Sequence, residues 1–330
     1  MIHMRGLSRT FKTKTGVVEA VAPLDLDVAP GEIVGLLGPN GAGKTTTLRM
    51  LTTLLSPTAG TATVAGVDLR TQAREVRRRI GYVAQVGATP APGSRVGEEL
   101  ITQGRLQGLS RADAAARVAD LLPRLDLGEL GGRALSELSG GQRRRFDVAI
   151  GLVHSPALVF LDEPSTGLDP QSRANLWQHI RGLRDELGVT VVITTHYLEE
   201  ADALADRILV MDHGQIVADD TPDALKAQVS RDIITLSIDG DLADAERVGR
   251  GAVEVRGATV EVELLHLTVE RGDVAVAPLL RALDAANLPL RSVTVARPTL
   301  DTVFLTLTGR SLRDGDAAWP GLTTLREAPP

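Results

Sequence analysis

Gly38-Pro39-Asn40-Gly41-Ala42-Gly43-Lys44-Thr45 reads G-x-x-x-x-G-K-[ST] and decides how the rest of the chain is read. The apolar run Ile33-Val34-Gly35-Leu36-Leu37 feeds it, and the helical pattern Thr46-Thr47-Leu48-Arg49-Met50-Leu51 leaves it, so the motif falls between a strand and a helix. Its glycines let backbone N–H groups turn inward around an anion, and the following helix points its positive end at the same place. In such a loop Lys44 reaches the β- and γ-phosphates of a nucleotide and the Thr45 hydroxyl ligates Mg2+. The competing reading is a Gly-rich turn with a solvated lysine. It is weak, because Lys44 is one of only four lysines in the chain.

Length and composition bound the remainder. At 330 residues the chain suits one large domain or two smaller ones, and 43% hydrophobic with 24% charged residues is a globular balance. No apolar run reaches the length of a membrane span, and Met1-Ile2-His3-Met4-Arg5-Gly6 lacks the core of a signal peptide. With no cysteine, disulfides, zinc–thiolate sites and cysteine nucleophiles are excluded. A net charge of −6 and 2% aromatic residues argue against a nucleic-acid surface. The 32 arginines beside four lysines reflect a GC-rich genome more than a function.

Upstream of the loop, Leu24-Asp25-Leu26-Asp27-Val28 alternates as a half-buried strand, and Phe11 is the candidate to hold an adenine ring. Downstream, the helix carries Leu48, Leu51 and Leu55 on one face and is expected to stop at Ser56-Pro57-Thr58. A strand runs through Val64, Arg74 to Arg79 is helical, and the strand Ile80-Gly81-Tyr82-Val83-Ala84 ends at Gln85. A Gln there can ligate Mg2+ and hold the attacking water, although a lone Gln reads as surface. From Gly97 to about Leu138 the pattern is helical, with a start at Ser110-Arg111-Ala112-Asp113.

Leu138-Ser139-Gly140-Gly141-Gln142 then runs into the helical stretch Arg143-Arg144-Arg145-Phe146-Asp147-Val148-Ala149. Two glycines before a helix make a second anion site, and one without a lysine. It makes sense if it closes over a γ-phosphate held by another copy of the chain. Leu158-Val159-Phe160-Leu161-Asp162-Glu163 is a buried strand ending in two carboxylates. Metal and water account for them, Asp162 orienting the ion and Glu163 polarising the water. Asp169 caps a helix that Gly188 ends, and the strand Val189–Thr195 delivers His196 towards a γ-phosphate. Ile208–Met211 and Gln215–Ala218 form a hairpin around Asp212-His213-Gly214, and Thr221-Pro222 opens a short helix.

Together these pieces resemble the nucleotide-binding subunits of ABC transporters. The order phosphate loop (Gly38–Thr45), Gln85, the signature Leu138–Gln142, Leu158–Glu163, Ser165–Asp169 and His196 is that family's order. The resemblance implies an α/β fold, a P-loop NTPase of the ABC type. Its parts would be a RecA-like core, an antiparallel β part and an all-helical subdomain over about 97–155, all within residues 1–229. It implies ATP and Mg2+ as cofactors, with Gln85, Glu163 and His196 serving hydrolysis. Residues Phe11, Gly38, Pro39, Asn40, Gly41, Ala42, Gly43, Lys44, Thr45, Thr46, Ser139, Gly140, Gly141, Gln142, Asp162 and Asp169 would contact nucleotide, and Thr45, Gln85 and Asp162 would hold the metal. It further implies a head-to-tail dimer of two copies around two ATP molecules. A permease on a separate chain would hold the dimer at the cytoplasmic face of the membrane. The run Arg143-Arg144-Arg145-Phe146-Asp147 and the stretch Pro298–Gly309 resemble the daunorubicin/doxorubicin-resistance subgroup of exporter ATPases. Some members of that subgroup have Gln where this chain has His196. The loop Ala88–Gly93, which faces the permease in the family, is richer here in Pro and Ala than usual.

Residues 230–310 read as a small α+β accessory domain of ferredoxin-like type. Ile233–Ile238, Thr259–Val269 and Leu290–Ala296 are strand-like, and Val274–Ala286 and Leu300–Leu307 helical. Val260, Val262 and Leu264 are expected to share one apolar strand face, and Phe304 to share a helix face with Leu300 and Leu307. The expected role is dimer contact or regulation rather than an inert appendage, and 311–330 is expected to be a disordered tail. The function this implies is an ATP-hydrolysing motor for export of a drug-like or lipid-like compound. The rival readings are a repair or translation ATPase of the same superfamily, and a stand-alone P-loop kinase or GTPase. A single cassette, no long heptad run and no cysteine disfavour the first; the Leu138–Gln142 signature disfavours the second.

Overall fold

The computed structural model describes residues 1–14, 16–85, 87, 93–229, 232–261, 264–296 and 299–308. Residues 88–92 of the Pro/Ala-rich loop, Val262, Pro298, Gly309 and 311–330 lie outside these. The chain forms two compact units that divide between Pro222 and Asp223.

The first unit opens on two long strands, β1 (Ile2–Thr13) and β2 (Gly16–Val28), paired antiparallel from Ile2 opposite Val28 to Thr13 opposite Gly16. In β2 the alternation of Leu24, Leu26 and Val28 with Asp25 and Asp27 buries the first set and exposes the second. The sequence reading had no counterpart for β1, whose apolar residues are interrupted by bulges. β4 (Ala59–Val64) and β5 (Val67–Asp68) complete this antiparallel sheet in the order β2-β1-β4-β5.

β3 (Ile33–Leu37) is apolar throughout and buried at every position, the mark of a strand covered on both faces. It leads through the phosphate loop into α1 (Lys44–Leu51). α1 ends at Leu51, one turn before the predicted stop, and Leu55 packs on the core from beyond it. α2 (Ala73–Arg79) and β6 (Ile80–Val83) follow. The helical stretch is α3 (Val96–Leu106), α4 (Arg111–Arg124) and α5 (Gly140–Leu152). As expected, Ser110 caps α4, accepting the Asp113 N–H at 3.1 Å. Then come β7 (Leu158–Asp162), α6 (Pro170–Leu187), β8 (Thr190–Thr195), α7 (Leu198–Leu204), β9 (Arg207–Asp212) and β10 (Gln215–Asp220).

The central sheet has the order β10-β9-β3-β8-β7-β6, with only β10 antiparallel. Alternate residues of its strands serve two cores. Val159, Leu161, Val191 and Ile193 pack with α3 to α6, and Leu158, Phe160 and Val192 pack with α1 and the antiparallel sheet. Parallel register aligns the carboxyl ends, with Leu37 beside Thr195, Asp162 beside Thr194 and Val83 beside Leu161. Loops leaving that one edge carry the phosphate loop, Gln85, Glu163 and His196, where ligands bind in open α/β sheets.

The second unit starts within α8 (Pro222–Val229), seven residues before the boundary read from sequence. It runs β11 (Asp232–Ile238), α9 (Leu242–Ala252), β12 (Val255–Glu261), β13 (Leu264–Val269), α10 (Gly272–Ala285), β14 (Leu290–Ala296) and α11 (Leu300–Thr308). The sheet is antiparallel in the order β12-β13-β11-β14, so the βαββαβ string is ferredoxin-like. One expectation fails here. Thr259–Val269 is not one strand, because Glu261 lies opposite Leu264 and the chain reverses. The inward set is Leu265, Leu267 and Val269, while Val260 and Leu264 are 49% and 36% exposed. In α11, Leu300, Val303 and Phe304 are buried as expected and Leu307 is exposed.

Candidate functional site

The phosphate loop is shaped by what surrounds it. Gly43 caps α1 at φ 102°, and a Cβ there would lie 2.8 Å from the Ala20 carbonyl, so only glycine fits. Ala42 is fixed by Pro39, whose carbonyl takes its N–H at 3.2 Å, and by Gly214, whose N–H reaches the Ala42 carbonyl at 3.0 Å. Asn40 and Gly41 are exposed at the loop tip, and Thr45 and Thr46 are half-exposed on the first turn of α1. That turn carries no acidic residue, so its positive end is uncovered for an anion.

Lys44 is buried, and its ammonium donates to the carbonyls of Gly38 at 2.5 Å and Pro39 at 3.0 Å. Burial pulls its pKa down to about 8, against the opposing pull of Glu163 and Asp162. Its ammonium lies 3.9 Å from Glu163 Oε1.

Thr45 and Asp162 meet directly, Thr45 Oγ1 donating to Asp162 Oδ1 at 3.0 Å. The same oxygen accepts Thr194 Oγ1 at 2.6 Å, and Tyr82 OH lies 3.4 Å from Asp162 Oδ2. Gln85, at the end of β6, donates from Nε2 to Glu163 Oε2 at 2.9 Å. Hydroxyl, carboxylate and side-chain amide oxygens at one sheet edge are the donor set a hard cation such as Mg2+ takes alongside phosphate oxygens. No group of three or more His, Cys, Asp or Glu that could hold a metal ion occurs among the described residues, so a cation here would lean on the hydroxyl, amide and phosphate oxygens as well.

Glu163 sits at φ 45°, a left-handed backbone for a non-glycine residue. Such strain costs on the order of 1–3 kcal/mol and persists only where the surroundings over-determine it. Here Thr194 holds the Glu163 N–H from both its hydroxyl at 3.0 Å and its carbonyl at 3.1 Å. Its side chain is ringed by Gln85, by Thr166 Oγ1 at 3.2 Å and by His196 Nδ1 at 3.4 Å. The His196 imidazole holds the Glu163 carboxyl below its ordinary range; burial opposes this, and Lys44 assists it. A carboxylate kept ionised beside a lysine and a phosphate loop can accept a hydrogen bond from water and orient it.

The structure brings Lys44, Thr45, Gln85, Asp162, Glu163 and His196, all singled out in the sequence, into one cluster. The sequence reading missed Thr194, which ties Asp162 to Glu163 and stands two residues before His196 on a buried strand. A hydroxyl beside the end of the acidic strand is the signal, and reading it requires knowing that β8 neighbours β7.

Other predicted residues sit apart. Ser139 and Gln142 form a capping box at the start of α5, Ser139 N–H to Gln142 Oε1 at 3.0 Å and Gln142 N–H to Ser139 Oγ at 3.3 Å. Gly140 and Gly141 are the first residues of that helix, not a loop before it. Asp169 spends both carboxylate oxygens on Ser172, N–H at 2.9 Å and Oγ at 2.6 Å, as the cap of α6. Phe11 lies on β1 opposite Val18, with the Arg9 guanidinium 4.6 Å from its ring centre, so one ring face already carries a cation.

A lysine loop and an ionised Glu at the carboxyl edge of one parallel sheet, with a second glycine-bearing helix start elsewhere in the same unit, define an ATP-binding cassette. A family model described as ABC transporter matches residues 21–166. The daunorubicin resistance ATP-binding protein DrrA3 of Streptomyces coeruleorubidus is 44% identical over 308 residues, spanning 92% of this chain and 95% of that one. The daunorubicin/doxorubicin resistance ATP-binding protein DrrA of Streptomyces peucetius is 43% identical over 302 residues, 89% of each. Among solved structures, an ATP-binding cassette captured as a post-hydrolysis dimer with ADP and phosphate is similar, with TM-score 0.60 and 25% identity. It covers 67% of this chain and 98% of its own. The chain belongs to the daunorubicin/doxorubicin-resistance family of ABC transporter ATP-binding proteins, and it is an ATPase.

Proposed function

We propose that two copies of the chain bind two Mg-ATP head to tail, and that closure and hydrolysis drive a separate permease exporting a drug-like or lipid-like compound. The observation that carries the dimer is the start of α5. It has two glycines and no acidic residue in its first turn, and its Ser139–Gln142 hydrogen bonds stay within that turn. It is thus a finished anion-binding helix end with no role among the contacts around Lys44. The dimeric cassette bound to ADP and phosphate supports the same reading.

In this reading Lys44 and the loop N–H groups hold the β- and γ-phosphates, and Thr45, Asp162 and Gln85 hold Mg2+. That ion supplies charge neutralisation of the triphosphate. Glu163 orients and accepts a proton from the attacking water, and His196 steadies the γ-phosphate. Ser139 to Gln142 would complete the partner's site, Phe11 would line the adenine and Asp169 would lie at the dimer seam. Among the described residues no helix is long and apolar enough to cross a membrane, so the reading assigns the pore to the permease. The names of these two relatives, resistance proteins for daunorubicin and doxorubicin, support a drug-like cargo.

Glu163→Gln tests the core of this. The amide still hydrogen-bonds water but accepts no proton, so turnover should fall by at least a hundredfold while ATP binding persists and a stable dimer accumulates. Size-exclusion chromatography with Mg-ATP reads the dimer; a monomer at saturating nucleotide would sink the head-to-tail arrangement. Co-purification with a candidate permease, and efflux of daunorubicin from cells carrying both chains, test the transport half.

A further inference from the structure

The run Arg143-Arg144-Arg145 has no part in the chemistry described so far, yet the middle arginine is the most fully engaged side chain near the site. Arg144 projects from α5 and is buried, 8% of its side chain remaining exposed. Its guanidinium reaches five backbone carbonyls: Nε to Pro164 at 2.6 Å, Nη1 to Ala84 at 2.8 Å and Gln85 at 3.4 Å, and Nη2 to Asp162 at 3.2 Å and Glu163 at 3.3 Å. A guanidinium has five N–H donors in a rigid fork, and here each has a carbonyl. The charge is balanced by Asp147 one turn along the helix, with Oδ2 3.9 Å from Arg144 Nη1. Asp147 is held in turn against Gly87, where a Cβ would collide with its carboxylate.

The five carbonyls come from the ends of two parallel strands and the turn after one of them. Those of Ala84, Gln85, Glu163 and Pro164 lie past the strand ends, and buried carbonyls there need donors. Three are consecutive, Asp162, Glu163 and Pro164, so one cation grips the backbone on both sides of the left-handed residue Glu163. The other two fix the backbone of Gln85, whose side chain bonds Glu163. This grip adds to the two Thr194 bonds on the Glu163 N–H in holding the left-handed backbone that aims the carboxylate at Gln85 and Lys44.

We propose that Arg144 is a positioning residue for ATP hydrolysis: it holds the backbones of Gln85 and Glu163 together and keeps Glu163 in the strained turn that aims its carboxylate. The proposal rests on the reading of Glu163 as the residue that activates water. It also makes α5, the helix that starts at Ser139, move as one body with the strand ends that carry Gln85 and Glu163.

The test compares Arg144→Gln and Arg144→Lys in the full-length protein, with Glu163→Gln alongside. Lysine keeps the charge but offers three donors to five carbonyls, and glutamine offers two and no charge. Steady-state turnover should therefore fall in the order Arg, Lys, Gln, with Arg144→Gln at least tenfold below the parent. The affinity for a fluorescent ATP analogue should stay within threefold, because the hydrogen bonds and ion pair of Arg144 go to residues 84–85, 147 and 162–164 and not to the phosphate loop. Turnover of Arg144→Gln within twofold of the parent overturns the proposal. So does a loss of nucleotide affinity in step with turnover, or failure of both variants to fold, since either makes Arg144 a residue of general stability. Retained turnover in Glu163→Gln would instead remove the role of Glu163 on which the proposal rests.

Discussion

Lys44 brings a charge into a loop whose own carbonyls, Gly38 and Pro39, it already satisfies, and burial holds its pKa at about 8. A triphosphate in the loop favours the ammonium and raises that value. Between the two pKa values the free protein has partly lost the proton that the complex keeps, so binding takes one up. ATP affinity should then weaken as pH rises past about 8, with net proton uptake. Calorimetry at pH 8.5 in two buffers of different ionisation enthalpy measures this, and Lys44→Arg should bind without uptake because arginine stays protonated. Equal heats in both buffers for the parent protein would remove Lys44 as the source. Thr194 makes a second prediction at this scale. Thr194→Val keeps the shape but removes the donor to Asp162 Oδ1 and one acceptor of the Glu163 N–H. Turnover should fall about tenfold, roughly 1.4 kcal/mol of barrier. Thr194→Ser should restore most of it; a serine variant as slow as the valine one would mean the methyl, not the hydroxyl, matters.

Among the elements, α5 shows how one helix start serves stability and function together. Its Ser139–Gln142 capping box satisfies two N–H groups that no helical carbonyl can reach. Ser139→Ala should cost about 1 kcal/mol and lower the melting temperature by about 2–4 °C, while Ser139→Thr keeps most of the cap. Ser139→Arg should in addition block turnover without loss of single-site ATP affinity, if the partner's phosphate docks there; loss of binding by the isolated monomer would put Ser139 in its own site. Local chemistry of this kind was legible in the sequence: the cap at Ser110, the cap at Asp169, the stop at Gly188 and the loop before Lys44 are all set by neighbours within a few residues. Register was not. Val260 and Leu264 look like one apolar face until the chain reverses between them, and a slip of one residue exchanges the two faces of a strand. Arg144 and Thr194 were illegible for a related reason, since their partners lie 18–60 and 31–32 residues away and depend on which strands are neighbours.

At the scale of the molecule, the order of the motifs along the chain was readable but the order of strands in the sheet was not, because crossovers place β3 between β8 and β9. The division into two units was readable to within a helix. Each unit has its own core, Ile33, Leu48 and Phe160 belonging to the first and Ile234, Leu267 and Leu279 to the second. Every residue proposed above to face phosphate, metal or water belongs to the first. A truncation after Val229 keeps α8 whole and removes the ferredoxin-like sheet with α11. Single-site ATP affinity of the truncated chain should therefore remain within about threefold of the parent, a change of about 0.7 kcal/mol or less. The second unit buries Leu300, Val303 and Phe304 along one face of α11 yet leaves Val260, Val274, Val295 and Leu307 exposed, which is apolar surface beyond what its own core uses. If that surface serves the dimer or the permease, the truncation should weaken ATP-driven dimerisation and transport far more than nucleotide binding. Analytical ultracentrifugation with Mg-ATP and efflux assays in cells measure the two effects separately. Unchanged dimerisation, turnover and permease assembly in the truncated protein would make the second unit a stabilising appendage and leave the motor complete within residues 1–229.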